Sequence, residues 1–260
     1  MTNSVLNTAI AQRFGLRLPF FGFSHSIETV AAITNAGGFG VYGATRRLPE
    51  EINTELAQIR TLVGDKPFGV DLVIPAVIPE ENDREAMEAQ IPAAHRAFVK
   101  GLEEKYQVPA PSGPGMRTRF VRSHEMTALQ VDAVVGSSAD LVALGVGCPP
   151  DVVERVKLAG KTTLALVGQE KHARKALQAG ADILVAQGAD AGGHTGTIGT
   201  FSLVPRIVAL AGNTPVLAAG GVATGDHIVA ALAMGAVGVW IGTAFLLTHE
   251  NASHLTPNET

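Results

Sequence analysis

One pattern limits what this chain can fold into: eight short apolar runs, most of them followed by a longer amphipathic stretch. The runs are Leu18-Pro19-Phe20-Phe21-Gly22, Phe39-Gly40-Val41-Tyr42, Phe68-Gly69-Val70-Asp71-Leu72-Val73, Val142-Ala143-Leu144, Thr163-Leu164-Ala165-Leu166-Val167, Ile183-Leu184-Val185-Ala186, Pro215-Val216-Leu217-Ala218-Ala219 and Val237-Gly238-Val239-Trp240-Ile241. They are close to continuous in apolar character, which suits strands covered on both faces. The stretches between them carry helix signals. Ser26 is placed to cap a segment running through Thr34 to Gly37-Gly38. Leu48-Pro49 opens a segment with Ile52, Leu56 and Ile59 at helical spacing. Pro149-Pro150-Asp151 opens another, and Glu170 to Ala179, Phe201 to Leu210 and Asp226 to Met234 complete the series. Strands alternating with helices imply a parallel sheet with crossover connections. Eight units close a (β/α)8 TIM barrel, and 260 residues fit one such domain of about 250. A doubly wound open sheet is the competing arrangement.

The period breaks once, from Pro75 to Thr127. Residues 81–102 read as helical, and Pro109-Ala110-Pro111-Ser112-Gly113-Pro114-Gly115 reads as a loop. An insertion of this length after the third strand is expected to be a lid-like element over the catalytic end, residues 75–127 within a single domain 1–260. Arg117, Arg119 and Arg122 fall in it and read as a solvated face, with contact to an anionic substrate as the alternative.

A net charge of −4 gives no reason to expect nucleic acid or an anionic membrane surface as partner. Cys148 is the only cysteine, so no disulfide forms within the chain and the cytoplasm is the expected compartment. The start, Met1-Thr2-Asn3-Ser4, does not read as a signal peptide, and no stretch approaches the roughly 18 apolar residues of a membrane span. No metal-ligand spacing, Walker loop or Ser-His-Asp order is present. Nothing in the sequence decides between a monomer and a homodimer.

Chemistry concentrates in three glycine-bearing loops after the sixth, seventh and eighth runs. The first, Gln187-Gly188-Ala189-Asp190-Ala191-Gly192-Gly193-His194-Thr195-Gly196, embeds a histidine in a backbone that can approach a ligand closely. An imidazole there is placed to exchange protons or to hydrogen-bond an anion. The second, Ala218-Ala219-Gly220-Gly221-Val222-Ala223-Thr224-Gly225-Asp226, runs from strand through a glycine pair into a helix start, an anion-binding arrangement. The third is Trp240-Ile241-Gly242-Thr243. In barrels a phosphate commonly lies between the loops after strands seven and eight. Cys148 reads as filler rather than nucleophile, His25 sits near the first strand end, and His172 and His227 fall in helices.

These loops, with Gly235-Ala236-Val237-Gly238-Val239-Trp240-Ile241-Gly242-Thr243-Ala244-Phe245-Leu246, Thr34-Asn35-Ala36-Gly37-Gly38 and Lys66-Pro67-Phe68-Gly69-Val70-Asp71, resemble the nitronate monooxygenase (2-nitropropane dioxygenase) family of FMN barrels. The resemblance implies FMN as cofactor and His194 as active-site base or substrate-anchoring residue. It implies flavin contacts from Gln187, Gly188, Ala191, Gly192 and Gly193, and an FMN phosphate held by Gly220, Gly221, Gly242 and Thr243 with Trp240 and Ile241 beside them. Asp71 falls where the family usually has an asparagine facing the flavin, and Gly22 and Phe23 fall where the first strand passes the ring. Phe21-Gly22-Phe23-Ser24-His25 replaces the family's usual glutamine-to-methionine ending of that strand, and Leu166 stands where some members carry a lysine. Members usually continue past the eighth strand, so an end at Thr260 reads either as a compact or truncated variant or as a chain whose missing helices come from elsewhere. The activity implied is oxidation of an alkyl nitronate, or a similarly stabilised carbanion, with O2. An NAD(P)H-dependent enoyl-thioester or quinone reductase, and a flavin-binding barrel with little catalysis, are the alternatives.

Overall fold

The computed structural model describes residues 5–75, 78, 84–110, 120 and 122–251. Eight parallel strands close on themselves in sequence order: β1 (Phe20–Ser24), β2 (Phe39–Gly43), β3 (Gly69–Val73), β4 (Leu141–Gly145), β5 (Thr162–Val167), β6 (Ile183–Gln187), β7 (Val216–Ala219) and β8 (Gly238–Ile241). β8 pairs back onto β1 with Phe21 opposite Trp240, which settles the competition with an open sheet in favour of the TIM barrel. Closure needs a glycine at position 238, because a Cβ there would lie 2.5 Å from the Pro19 carbonyl oxygen.

Because both faces of every strand are buried, alternate residues enter two different cores. Inside the barrel lie Phe21, Phe39, Val41, Leu141, Ala143, Leu164, Ile183, Val185, Leu217, Ala219 and Trp240. Phe21 and Phe39 stack at 4.6 Å, and each buried ring contributes on the order of 1.5–3 kcal/mol. Outside it, Val30, Ile52, Leu56, Ile59, Val70 and Leu72 pack one side, and Leu184, Leu203, Val204, Ile207, Val216 and Ile241 the other.

A helix absent from the sequence reading, α1 (Ala9–Phe14), closes the amino end of the barrel. Thr8 caps it, Ile10 is part of the inner core, and Phe14 packs edge-on to Phe21 and Phe39. Ser26 caps α2 (Ile27–Asn35) as expected, its Oγ accepting from the Thr29 N–H. Pro49 begins α3 (Pro49–Val63), and Ile52, Leu56, Ile59 and Val63 form its buried face. α7 (Pro150–Leu158), α8 (Glu170–Gln178), α9 (Thr200–Ala211) and α10 (Gly225–Ala233) follow β4 to β7 as expected.

Residues 77–130 form a compact unit of their own. Its helical stretch is two helices, α4 (Arg84–Ala89) and α5 (Ala93–Tyr106), rather than one, since Pro92 cannot continue a helix from α4. The residues at 111–115, Arg117 and Arg119 lie outside the described residues. α6 (His124–Gly136), also absent from the sequence reading, returns the chain to the barrel, where Val131, Ala133 and Val134 join the outer core. No helix among the described residues is long and apolar enough to cross a membrane.

Candidate active site

The alternation that builds the two cores also selects which side chains reach the barrel mouth. Val70 and Leu72 point outward, so Asp71 points inward; Val185 points inward, so Gln187 does too. Phe23 of β1, Leu166 of β5, Ala219 of β7 and Trp240 of β8 complete an inward-facing layer at the carboxyl ends. Phe23 and Trp240 stack at 5.9 Å with 26° between their planes, giving a flat aromatic floor. The His25 ring meets Phe23 edge-on at 5.1 Å, and its Nδ1 lies 2.8 Å from the Gly43 carbonyl oxygen, donating in the tautomer that carries the proton there.

Asp71 is the only acid in this layer. It is 6% exposed, and its carboxyl makes no hydrogen bond or ion pair with any described residue. Its register neighbours are Gly43 and Ala143, and a Cβ on Gly145 would sit 3.7 Å from Asp71 Oδ2, so small residues leave room around the carboxyl. Burial lifts its pKa to about 7. Burial also pushes the Cys148 thiol up to about 11, which keeps it neutral near pH 7.

Above the floor, the loop after β6 crosses from one side of the mouth to the other. A side chain at Gly192 would lie 2.7 Å from Thr243 Oγ1 beyond β8, while one at Gly196 would lie 2.5 Å from the Gly168 carbonyl oxygen beyond β5. His194 sits between these two anchor points, exposed, with its ring bonded to no described residue. Beyond β7 the chain turns through Gly220 at φ +105° and Gly221 at φ +72°, backbone that glycine tolerates at little cost. A Cβ at Gly220 would lie 2.5 Å from Thr200 Oγ1 and 3.1 Å from the Ala191 nitrogen. Among the described residues, no protein acceptor takes up the N–H groups of Gly220, Gly221, Gly242 or Thr243. They are available to a ligand's anion.

The nearby helix starts are already occupied. The Asp190 carboxylate accepts from the Thr200 N–H at 2.6 Å at the start of α9, and this bond holds its pKa below the usual range. At α10, His227 Nδ1 accepts from the Ala223 and Thr224 N–H groups. After β4, Val146 adopts φ +67° with the Gly147 N–H bonded to the Gly145 carbonyl at 2.8 Å, an unusual conformation for a β-branched residue.

A family model described as nitronate monooxygenase matches residues 6–258. The chain belongs to the nitronate monooxygenase family. This is a family of oxidoreductase enzymes. A Mycobacterium tuberculosis protein named as a monooxygenase is 40% identical, over 94% of this chain and 68% of its own length. A hydroxy-methyl-oxo-octahydro-indene carboxyl-CoA dehydrogenase of Rhodococcus jostii is 29% identical, over 95% of this chain and 57% of its own length. Among solved structures, a nitroalkane oxidase from Streptomyces ansochromogenes superposes with a TM-score of 0.74 at 28% identity, over 94% of this chain and 69% of that one. The chain therefore spans between about half and two thirds of these relatives.

The residues expected from the nitronate monooxygenase resemblance divide into three groups. Phe23, Asp71, Gln187 and Trp240 share the inward layer, and Gly188, Ala191, Gly192, Gly193, Gly220, Gly221, Gly242 and Thr243 lie on the three adjoining loops. Gly22 and Ile241 do not face the interior. A Cβ on Gly22 would lie 2.6 Å from Ile33 Cδ1 and 2.9 Å from Phe245, so that side of β1 packs against α2, and Ile241 belongs to the outer core. Only their backbones border the mouth. The sequence reading missed two supports, Thr200 and Asp190. Thr200 Oγ1 reaches the Ala219 and Gly220 carbonyls at 3.2 and 3.0 Å, and Asp190 fixes the start of α9. Ten residues separate Asp190 from Thr200, a spacing that belongs to no capping motif.

Proposed function

We propose that the chain binds FMN at the barrel mouth and oxidises an alkyl nitronate, or a similarly stabilised carbanion, with O2 as electron acceptor. The observation that carries this reading is the pairing of unclaimed amides at the ends of β7 and β8 with a flat apolar floor beside them. A phosphate fits the amides of Gly220, Gly221, Gly242 and Thr243, and a planar ring fits over Phe23, Leu166 and Trp240. A Cβ at position 220 would fill this cradle. When bound, FMN supplies the redox chemistry, taking electrons from the substrate and passing them to O2.

The chain's own residues position and exclude. Gln187, on the inward layer with its Nε2 4.0 Å from where a Gly193 side chain would begin, would offer its amide to the bound ring, and His194, exposed on the crossing loop, would serve the substrate. A neutral imidazole removes a proton from carbon when a nitroalkane binds; an imidazolium anchors the substrate when it arrives as the nitronate anion. The insertion leaves the barrel after β3, at the end of the strands where the site lies, and is assigned the role of a lid. The test is oxygen uptake with an alkyl nitronate by FMN-loaded wild type and His194→Asn. Loss of general acid–base help or anchoring predicts a fall in kcat/KM of about a hundredfold or more. Equal activity in two equally flavin-loaded proteins would remove His194 from the mechanism.

A second reading has one observation in its favour: the Rhodococcus relative is named as a dehydrogenase of a CoA thioester. What that name shares with this reading is the thioester in the site, not the direction, since a dehydrogenase oxidises its substrate. On this reading NADH or NADPH would reduce the flavin and an enoyl thioester or quinone would reoxidise it. Anaerobic bleaching of the flavin separates the two, since a nitronate oxidase is bleached by nitronate and a reductase by the nicotinamide.

A further inference from the structure

Asp71 combines three properties that its packing does not explain. It is buried, it points into the barrel beneath the mouth, and neither carboxyl oxygen is bonded to any described residue. A carboxyl in that position costs free energy unless something else satisfies it. A structural role would place a donor beside it; instead the flanking strands offer Gly43, Ala143 and Gly145. Those three residues leave open the direction in which the carboxyl faces. Its oxygens are not among the sealed, partnerless side-chain atoms, so the carboxyl opens toward the mouth, where water or a ligand atom can meet it. Its protonation state decides whether a ligand atom there must be an acceptor or a donor.

The surroundings bear on that state. β3 itself carries no other ionisable residue, and neither β2 nor β4 contributes a cation. The groups nearest by chain position are His25, whose ring lies against Gly43, and Cys148 past the end of β4, a neutral thiol. Arg47, following β2, is bonded to Glu55 and to the Tyr42 hydroxyl on the outer side of the strand. No described cation is bound to the Asp71 carboxylate, so the proton is its cheapest counter-charge.

We propose that Asp71 is a neutral acid in the loaded protein and donates a hydrogen bond to an acceptor atom of the ring held in the mouth, so that proton occupancy of this one carboxyl governs how tightly the ring is held and how readily it accepts electrons. This inference rests on the flavin reading above. Loss of the proton replaces a donor by a carboxylate facing an acceptor, which opposes binding and opposes any gain of negative charge by the ring. Burial lifts the carboxyl to about 7, which sets this change close to neutrality.

The experiment compares wild type and Asp71→Asn, both loaded with FMN, from pH 6 to pH 9. FMN affinity, by fluorescence quenching, is expected to weaken by about tenfold or more across that range in wild type and to stay level in the variant, whose amide donates at every pH. The visible spectrum of the bound flavin should shift with the same midpoint in wild type alone. Identical pH profiles in the two proteins would overturn the proposal while leaving the flavin reading intact. Failure of both to bind FMN would overturn both. A measurement on wild type alone guards against misfolding of the variant: carbon-13 resonances of labelled aspartates must include a carboxyl titrating near neutrality. If every aspartate titrates in the ordinary carboxylate range, the proposal falls.

Discussion

At the scale of single residues, Asp71 also makes a prediction about stability that needs no cofactor. Its native pKa of about 7 lies above the ordinary 3.8. Between those values the folded chain holds a proton that the unfolded chain has released, so stability falls as pH rises through the window and levels off above about 7. A shift of roughly three units corresponds to at most about 4 kcal/mol. Asp71→Asn removes the titration. In urea unfolding, the variant should match wild type most closely near pH 4 and gain on it steadily to about pH 8. A difference that does not change with pH would mean that the carboxyl titrates normally. The residue scale is also where the sequence was hardest to read. In β8, Trp240 and Ile241 are adjacent and both apolar, yet one faces the mouth and the other the outer core. When both faces of a strand are buried, composition carries no inside-outside signal. Only the register with β1 separates them.

At the scale of elements, legibility followed the strength of local signals. α2 and α3 were readable because a cap or proline stands at the start and apolar residues recur on one face. α1 has six residues and little periodicity to display; its role comes from contacts with Phe21 and Phe39, which are distant in sequence. α6 spreads Met126, Leu129, Val131, Val134 and Val135 around its circumference, so no stripe marks it. The caps themselves are testable. Ser26 Oγ accepts from the Thr29 N–H and lies 2.8 Å from both the Glu28 carboxylate and the Glu250 carbonyl, either of which its single proton can reach. It therefore starts α2 and also ties down the segment after β8. Ser26→Ala should cost about 1–2 kcal/mol, the upper part of the range for a lost cap, because a second bond goes with it. A loss below about 0.5 kcal/mol in chemical denaturation would show that water replaces the hydroxyl at both positions.

At the scale of the whole molecule, the eightfold count was legible because each strand–helix unit announces itself locally, while closure and the inward layer depend on all eight units together. The candidate site is a property of that closure: β7 and β8 bring the unclaimed amides, β1 and β8 the stacked rings, β3 the acid, and the loop after β6 the histidine. If the glycine turns grip a phosphate, most ligand stabilisation of the barrel should need it. A ligand at a hundred times its Kd stabilises the folded state by about 2.7 kcal/mol, which for a domain of this size raises Tm by about 5 °C. FMN should produce a rise of that order at saturating concentration. Riboflavin offers the same ring without the phosphate and loses several charge-assisted hydrogen bonds, so at equal concentration its shift should be much smaller. Inorganic phosphate alone should give less than FMN, because it leaves Phe23, Leu166 and Trp240 uncovered. Equal shifts from FMN and riboflavin would mean that ring and floor account for binding, and the amides beyond β7 and β8 would need another ligand.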